Sequence, residues 1–102
     1  MEFEAVCRQV VALSREVGEF IQKERTSFKD DAVEAKTLNN FVTHVDKEAE
    51  KRFVDGLKEL VPGAGFIAEE GTSTDKGEIF NWIIDPLDGT TNYIHGIPCY
   101  CT

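Results

Sequence analysis

The chain has 102 residues, which is enough for one small domain or for part of a larger one. Hydrophobic residues make up 41% of it, so it can form a buried core. The formal net charge of −8 argues against nucleic acid as a partner, because phosphate backbones attract basic surfaces. An acidic chain can still bind phosphate locally through metal ions or oriented backbone N–H groups.

The three cysteines, Cys7, Cys99 and Cys101, do not have the spacing of a zinc site. We expect reduced thiols in a cytoplasmic protein. Alternation along a strand puts Cys99 and Cys101 on one face, where we expect buried structural thiols. The N-terminus is acidic where a signal peptide would be basic, and no apolar run reaches membrane-spanning length. We therefore expect neither a leader nor a membrane partner.

Two amphipathic helices are predicted from apolar residues at three- and four-residue steps. The first helix runs to about Lys23, and residues 26–40, which lose the period, predict a loop or hairpin. A short extended piece is predicted at residues 41–43 and the second helix at 45–60, before Pro62 and Gly63 stop it. The apolar positions of the first helix are Phe3, Val6, Val10, Leu13, Val17, Phe20 and Ile21.

Two strands are predicted next, at residues 66–68 and 79–84, on either side of a polar turn. The first ends in Glu69-Glu70 and the second in Asp85, so both deliver carboxylates at their C-terminal ends. In α/β architectures this edge of the sheet usually binds the ligand. Residues 97–102 predict the start of a further strand. Because an unfinished strand is a poor way to end a domain, we expect residues 1–102 to be the N-terminal portion of one truncated domain.

The segment Asp85-Pro86-Leu87-Asp88-Gly89-Thr90-Thr91-Asn92 has the composition of a metal site. Pro86 forces a turn after the strand, so Asp85 and Asp88 can point into one space. Two such close carboxylates repel each other unless a cation lies between them, and hard oxygen ligands suit Mg²⁺. The carbonyl group of Leu87 can add a further ligand. Glu69 adds a third carboxylate to Asp85 and Asp88, and three carboxylates can supply ligands for a two-metal site.

The same segment can bind phosphate. Gly89 allows close approach of the backbone to a ligand, and Thr90 and Thr91 are good N-cap residues for a helix whose free N–H groups bind phosphate oxygens. The alternative interpretation of the whole segment is a solvated turn rich in Asp and Gly. Its position after an apolar strand and behind a Glu-Glu strand end favours the functional interpretation.

Asp46 has two compatible interpretations. It can cap the second helix, in an imperfect capping box with Thr43. It can also hydrogen-bond to Thr90 and orient a water molecule.

Together these segments resemble the inositol monophosphatase family, within the wider group of lithium-sensitive sugar phosphatases. The resemblance covers essentially the whole chain, but the chain covers less than half of the usual family length. It implies a layered α/β sandwich, of which the chain would supply the N-terminal helices and first strands. It also implies a Mg²⁺-dependent phosphomonoesterase, usually a homodimer. Four segments carry the resemblance: Phe41-Val42-Thr43-x-x-Asp46, Phe66-Ile67-Ala68-Glu69-Glu70, Trp82 to Asn92, and Tyr93-Ile94-His95-Gly96-Ile97-Pro98.

Position by position, the resemblance implies the following roles. The metal ligands are Glu69, Asp85, Asp88 and the carbonyl group of Leu87, while Glu70 is a neighbour of the ligands. Gly89 and Thr90 provide phosphate-binding amides, Thr90 and Asp46 activate the attacking water, and Lys36 lies in a mobile loop near the metals. His44 and His95 are expected to be structural.

Two departures from the family pattern stand out. Asn40 occupies a position where many members have an aspartate. The chain also has no counterpart of the Trp-Asp-x-Ala motif, whose aspartate binds the second metal, nor of most substrate-gripping residues. We therefore expect the 102 residues alone to be inactive.

The predicted function of the complete protein is hydrolysis of inositol monophosphate, or a similar sugar or polyol phosphate, by a water that Mg²⁺ activates. The alternatives are a phosphatase for 3′-phosphoadenosine phosphate or another sugar phosphate, and a non-catalytic metal-binding fragment. The Gly89-Thr90-Thr91-Asn92 ending favours the inositol branch over the nucleotide and fructose bisphosphate branches.

Overall fold

The computed structural model describes residues 2–28, 35–71 and 76–102, although not the side chains of residues 35 and 36. Helices combine with a small parallel sheet, as the predicted fold class requires. In chain order the elements are α1 (Phe3–Ser27), α2 (Ala35–Leu60), β1 (Gly65–Ala68), β2 (Asn81–Ile84) and α3 (Thr90–Ile94).

The two long helices pack against each other in opposite directions. The guanidinium group of Arg52 lies 3.8 Å from the ring centroid of Phe20, while the rings of Phe28 and Phe41 stack at 4.3 Å. From Phe20 to Phe28 the chain moves forward, while the partner moves back from Arg52 to Phe41, so the two helices are antiparallel. The first predicted helix is confirmed, and it continues past Lys23 to Ser27.

The second helix begins ten residues earlier than its predicted start. It runs from Ala35, so the loop predicted for 26–40 is wrong at both ends, and its centre lies outside the described residues. The extended piece predicted at 41–43 is also wrong, because these residues are helical. The physical reason is packing: Val42 is buried and Phe41 and Leu38 pack on the core, so the apolar stripe of α2 already begins there.

The early start of α2 also shows that the predicted capping role of Asp46 is wrong. That residue lies eleven positions inside α2, where every neighbouring N–H group can bond within the helix. Its carboxylate is therefore not needed as a cap.

The sheet consists of two parallel strands, with Phe66 paired to Trp82 and Ala68 paired to Ile84. The second strand begins at Asn81, two residues after its predicted start. The side chain of Asn81 accepts a hydrogen bond from the Gly77 N–H at 2.8 Å, which holds the preceding residues in a turn.

One face of the sheet packs on the helices and the other is open. Phe66 and Ile84 are buried, whereas Ile67 and Ile83 are 50% and 81% exposed. The C-terminal ends of both strands point to the same edge. Buried residues from both helices, the sheet and α3 form one core: Val17, Ile21, Val42, Val45, Ala49, Phe53, Val54, Leu57, Phe66, Ile84, Leu87 and Tyr93.

The last residues form a single bridge rather than the predicted strand. Asp88 and Cys101 exchange backbone hydrogen bonds of 2.8 and 3.0 Å in an isolated antiparallel pair. Cys99 and Cys101 are exposed, so the prediction of buried thiols is wrong: within the described residues no second layer covers this segment. All three cysteines are free thiols. Among the described residues, none of the helices combines the length and the apolar character that a membrane span requires.

Candidate active site

The candidate site begins at the edge where the two strands end. Glu69 follows β1 and Asp85 follows β2, and the parallel pairing places the two residues side by side. A hydrogen bond between their carboxyl groups, together with the negative charge of Asp85, raises the pKa of Glu69. Two carboxyl groups this close repel each other when both are ionised, and a shared proton or a cation relieves that repulsion.

Asp46 approaches the same edge from α2. Its side chain is half-buried, and this loss of solvent raises its pKa to about 7, with further contributions from the charges of Glu70, Glu69 and Asp85. The structure therefore brings Asp46, Glu69 and Asp85 into one electrostatic group.

The turn after β1 is attached to α2 by a buried carboxylate. Glu50 is 0% exposed, and its Oε1 atom accepts a hydrogen bond from the backbone N–H of Glu70 at 2.8 Å. The same turn is closed by the Gly71 N–H, which donates to the carbonyl oxygen of Ala68 at 3.1 Å. Two hydrogen bonds thus fix the backbone that carries Glu69.

The loop between β2 and α3 is shaped by one glycine. Gly89 has φ of 86°, and a Cβ atom built there would lie 2.9 Å from the carbonyl oxygen of Cys99. Both the left-handed backbone and the close approach favour glycine. Pro86 and Leu87 are buried beneath this loop.

Neither Thr90 nor Thr91 is the N-cap residue of α3, so the N-cap that the sequence predicts is wrong. The N-cap residue of α3 is Gly89, without a side-chain cap, and Thr90 is the first helical residue. The hydroxyl of Thr90 donates to the carbonyl oxygen of Leu87 at 3.2 Å. Within the described residues this hydroxyl thus bonds to Leu87 and not to Asp46, the partner that the sequence predicts. The amides of Gly89 and Thr90 lie where a helix start leaves N–H groups without intrahelical partners.

The side chain of Asp88 contacts the C-terminal segment of the chain. The thiol of Cys101 donates a weak hydrogen bond to the Oδ2 atom of Asp88 at 3.8 Å. Partial desolvation and the charge of Asp88 raise the pKa of this thiol. Within residues 2–28, 35–71 and 76–102, no three His, Cys, Asp or Glu side chains stand in a metal-binding group. The structure therefore juxtaposes Glu69 and Asp85, but does not gather all the predicted ligands.

The remaining predicted residues lie at the periphery. His44, His95 and Asn40 are exposed, so neither histidine is held inside the core. The side chain of Lys36 lies outside the described part of the chain, and its predicted role stays a prediction.

Comparison with known proteins gives this geometry its context. A profile described as the inositol monophosphatase family matches residues 3–102. The chain belongs to the inositol monophosphatase family.

Relatives within this family have different names. The Nus factor SuhB of Vibrio cholerae is 42% identical over 89 residues, which cover 86% of this chain and 33% of that protein. The fructose-1,6-bisphosphatase/inositol-1-monophosphatase of Thermotoga maritima is 45% identical over 69 residues, covering 67% of this chain and 26% of that protein. The chain thus spans a third or less of the length of these curated relatives.

A solved structure supports the fold. The native crystal structure of the extragenic suppressor protein suhB from Bartonella henselae matches with a TM-score of 0.67 and 28% identity. The match covers 94% of this chain and 38% of that one. The helices and the small sheet therefore have the fold of this family protein over the matched part of its chain.

The donor groups at the edge of the sheet fit the Mg²⁺ ion that the family implies. They are all oxygen atoms, from carboxylates and from the Leu87 carbonyl, and Mg²⁺ prefers such hard ligands. Burial is the main cause of the raised pKa of Asp46, and the hydrogen bond to Asp85 is the main cause for Glu69. The negative charges of the neighbouring carboxylates add to both shifts, and a bound cation would offset that contribution.

Two contributors to the site were missed from the sequence. Glu50 occupies a core-facing position between Ala49 and Phe53, and a charge inside an apolar stripe was the signal that could have found it. Arg25 is 9% exposed and binds carbonyl groups of α3, but nothing in the local sequence of α1 indicates that distant partner.

Proposed function

We propose that the complete protein is a Mg²⁺-dependent phosphomonoesterase that hydrolyses inositol monophosphate or a similar sugar or polyol phosphate. The observation that carries this proposal is the pairing of Glu69 with Asp85 at the C-terminal edge of a parallel sheet. This edge lies in the same chain segment as the Gly89-Thr90 loop, so cation and phosphate would bind next to each other. Membership of the family supports the phosphatase class.

The proposed metal ligands are Glu69, Asp85, Asp88 and the Leu87 carbonyl group. When bound, Mg²⁺ supplies charge neutralisation for the phosphate and lowers the pKa of the attacking water.

The chain's own groups then bind and orient the reactants. The amides of Gly89 and Thr90 hold phosphate oxygens, because N–H groups at a helix start point outward and carry partial positive charge. Asp46 and Thr90 orient the water for in-line attack. In this proposal Asp46 accepts the proton of the attacking water. Positioning and electrostatics, rather than covalent chemistry, supply the rate enhancement.

The substrate proposal rests on the sequence Gly89-Thr90-Thr91-Asn92, which favours the inositol branch. A 3′-phosphoadenosine phosphate or another sugar phosphate is the alternative of the same chemistry. We also propose a homodimer in the cytoplasm for the complete protein, and a small phosphate monoester rather than nucleic acid as its partner.

A non-catalytic role is the second candidate. The V. cholerae relative is named as a Nus factor rather than as a phosphatase, which is the observation that favours it. In this alternative, the 102 residues bind a metal ion but do not hydrolyse a substrate.

A phosphate-release assay tests the proposal. The full-length gene product should hydrolyse inositol monophosphate in the presence of Mg²⁺ and lose this activity with a chelator. Parallel assays with fructose 1,6-bisphosphate and 3′-phosphoadenosine 5′-phosphate identify the substrate class. Absence of release from all three, with Mg²⁺ binding retained, would favour the non-catalytic role.

A further inference from the structure

Glu50 is a carboxylate in an unusual environment. It is 0% exposed on a helix whose neighbouring core positions, Ala49 and Phe53, are apolar. A buried carboxylate is costly unless hydrogen bonds compensate for the lost water. One such bond is visible, from the backbone N–H of Glu70 to the Oε1 atom of Glu50 at 2.8 Å.

This hydrogen bond connects the two elements that carry the candidate site. Glu50 follows Asp46 by four residues, so both side chains project from the same face of α2. Glu70 follows Glu69 directly in the chain. The bond therefore fixes the turn that presents Glu69 against the helix turn that presents Asp46.

Glu69 depends on this attachment because its own side chain is not enclosed. It is exposed, so packing does not hold it in place. The position of its carboxyl group is set by the backbone of the turn, which is closed by the Gly71–Ala68 hydrogen bond and attached to α2 by Glu50.

We propose that Glu50 is a positioning residue that sets the spacing between Asp46 and Glu69, and thereby the affinity of the site for a divalent cation. This inference rests on the proposed function for the role of Glu69. Glu50 itself touches neither cation nor substrate; it acts through the backbone of Glu70.

Hydrogen exchange tests the attachment independently of any metal. In the full-length gene product, the Glu70 amide should be protected from exchange. Glu50→Ala should speed its exchange at least about tenfold relative to the Phe53 amide in α2, whereas Glu50→Gln, which keeps an acceptor oxygen, should change this ratio less than about threefold. Leu57→Ala, a core truncation away from the turn, controls for general loss of stability and should leave the ratio unchanged. An unprotected Glu70 amide in the unsubstituted protein would overturn the proposal.

Titration with Mn²⁺, followed by its paramagnetic signal, tests the positioning effect. Glu50→Ala should weaken binding about tenfold or more, while Glu50→Gln and Leu57→Ala should stay within about threefold of the unsubstituted protein. Equal weakening by Gln and Ala would show that the charge matters rather than the hydrogen bond, and would overturn the proposal. Unchanged Mn²⁺ binding in Glu50→Ala would also overturn it. If the unsubstituted protein binds no Mn²⁺, the proposed metal site fails, while the exchange ratios still decide whether Glu50 holds the turn.

Discussion

Arg25 of α1 lies against the C-terminal end of α3, where its Nε atom donates a hydrogen bond to the carbonyl oxygen of Tyr93 at 2.8 Å. Its guanidinium group also donates to the carbonyl oxygen of Ile94 at 3.2 Å. A positive charge is favourable at this end of a helix, where carbonyl groups lack partners. The tyrosine hydroxyl donates in return to the carbonyl oxygen of Ile21 at 2.9 Å. The first helix thus anchors the short helix that follows the Gly89-Thr90 loop.

Removing the tyrosine hydroxyl should weaken this anchor. Tyr93→Phe keeps the buried ring but loses the bond to the Ile21 carbonyl group, and we expect a loss of about 1 kcal/mol in the free energy of unfolding. Denaturant unfolding measures this loss. Tyr100→Phe is the matched control, because the Tyr100 hydroxyl forms no hydrogen bond within the described residues. Equal midpoints for both variants would show that the Tyr93 bond contributes nothing.

The raised pKa of Asp46 predicts a dependence of stability on pH. The ordinary value is 3.8 and the folded value is about 7, so between them the folded chain holds a proton that the unfolded chain has released. The free energy of unfolding should therefore fall as the pH rises through this window in the absence of divalent cations. The raised pKa of Glu69 acts in the same direction.

Urea unfolding between pH 4.5 and 8 measures this dependence, and Asp46→Asn should flatten it. The control is Asp55→Asn, which changes an exposed carboxylate elsewhere on α2. An unchanged pH profile in Asp46→Asn would mean that its carboxyl group titrates normally.

Thr90 should affect turnover more than substrate binding, if its hydroxyl orients the attacking water. In the full-length gene product we expect Thr90→Ala to lower kcat about 10- to 100-fold with little change in KM. Steady-state kinetics of phosphate release provide the measurement. Thr91→Ala, at the exposed neighbouring position, is the control. Parallel losses in kcat and in substrate affinity would instead assign Thr90 to phosphate binding alone.

Much of this architecture was predictable from local patterns. Apolar spacing located α1 and most of α2, and the strand ends at Glu69 and Asp85 were correct, because each strand is a short apolar run that ends in an acid. The start of α2 was not predictable in this way. Residues 35–40 are mostly polar, so their sequence shows no clear helical period, and Leu38 packs against a core formed by residues distant in the chain.

The details of the candidate site depended on contacts distant in sequence. Arg25 binds a carbonyl group 68 residues away, and Glu50 binds an amide 20 residues away. No local pattern encodes such partners. Local turn geometry also decided that Gly89, rather than a threonine, precedes α3, because the backbone there is left-handed.

We propose that the carboxylates at the edge of the sheet bind Mg²⁺ for phosphate ester hydrolysis. The most direct measurement is Mg²⁺-dependent phosphate release by the full-length gene product, compared with its Asp85→Asn and Asp55→Asn variants. We expect Asp85→Asn to lower the rate by at least about 100-fold, since a metal ligand is lost, and Asp55→Asn to leave it unchanged. An Asp85→Asn variant with the same rate and the same Mg²⁺ dependence as the unsubstituted protein would show that Asp85 is not a ligand of the catalytic Mg²⁺.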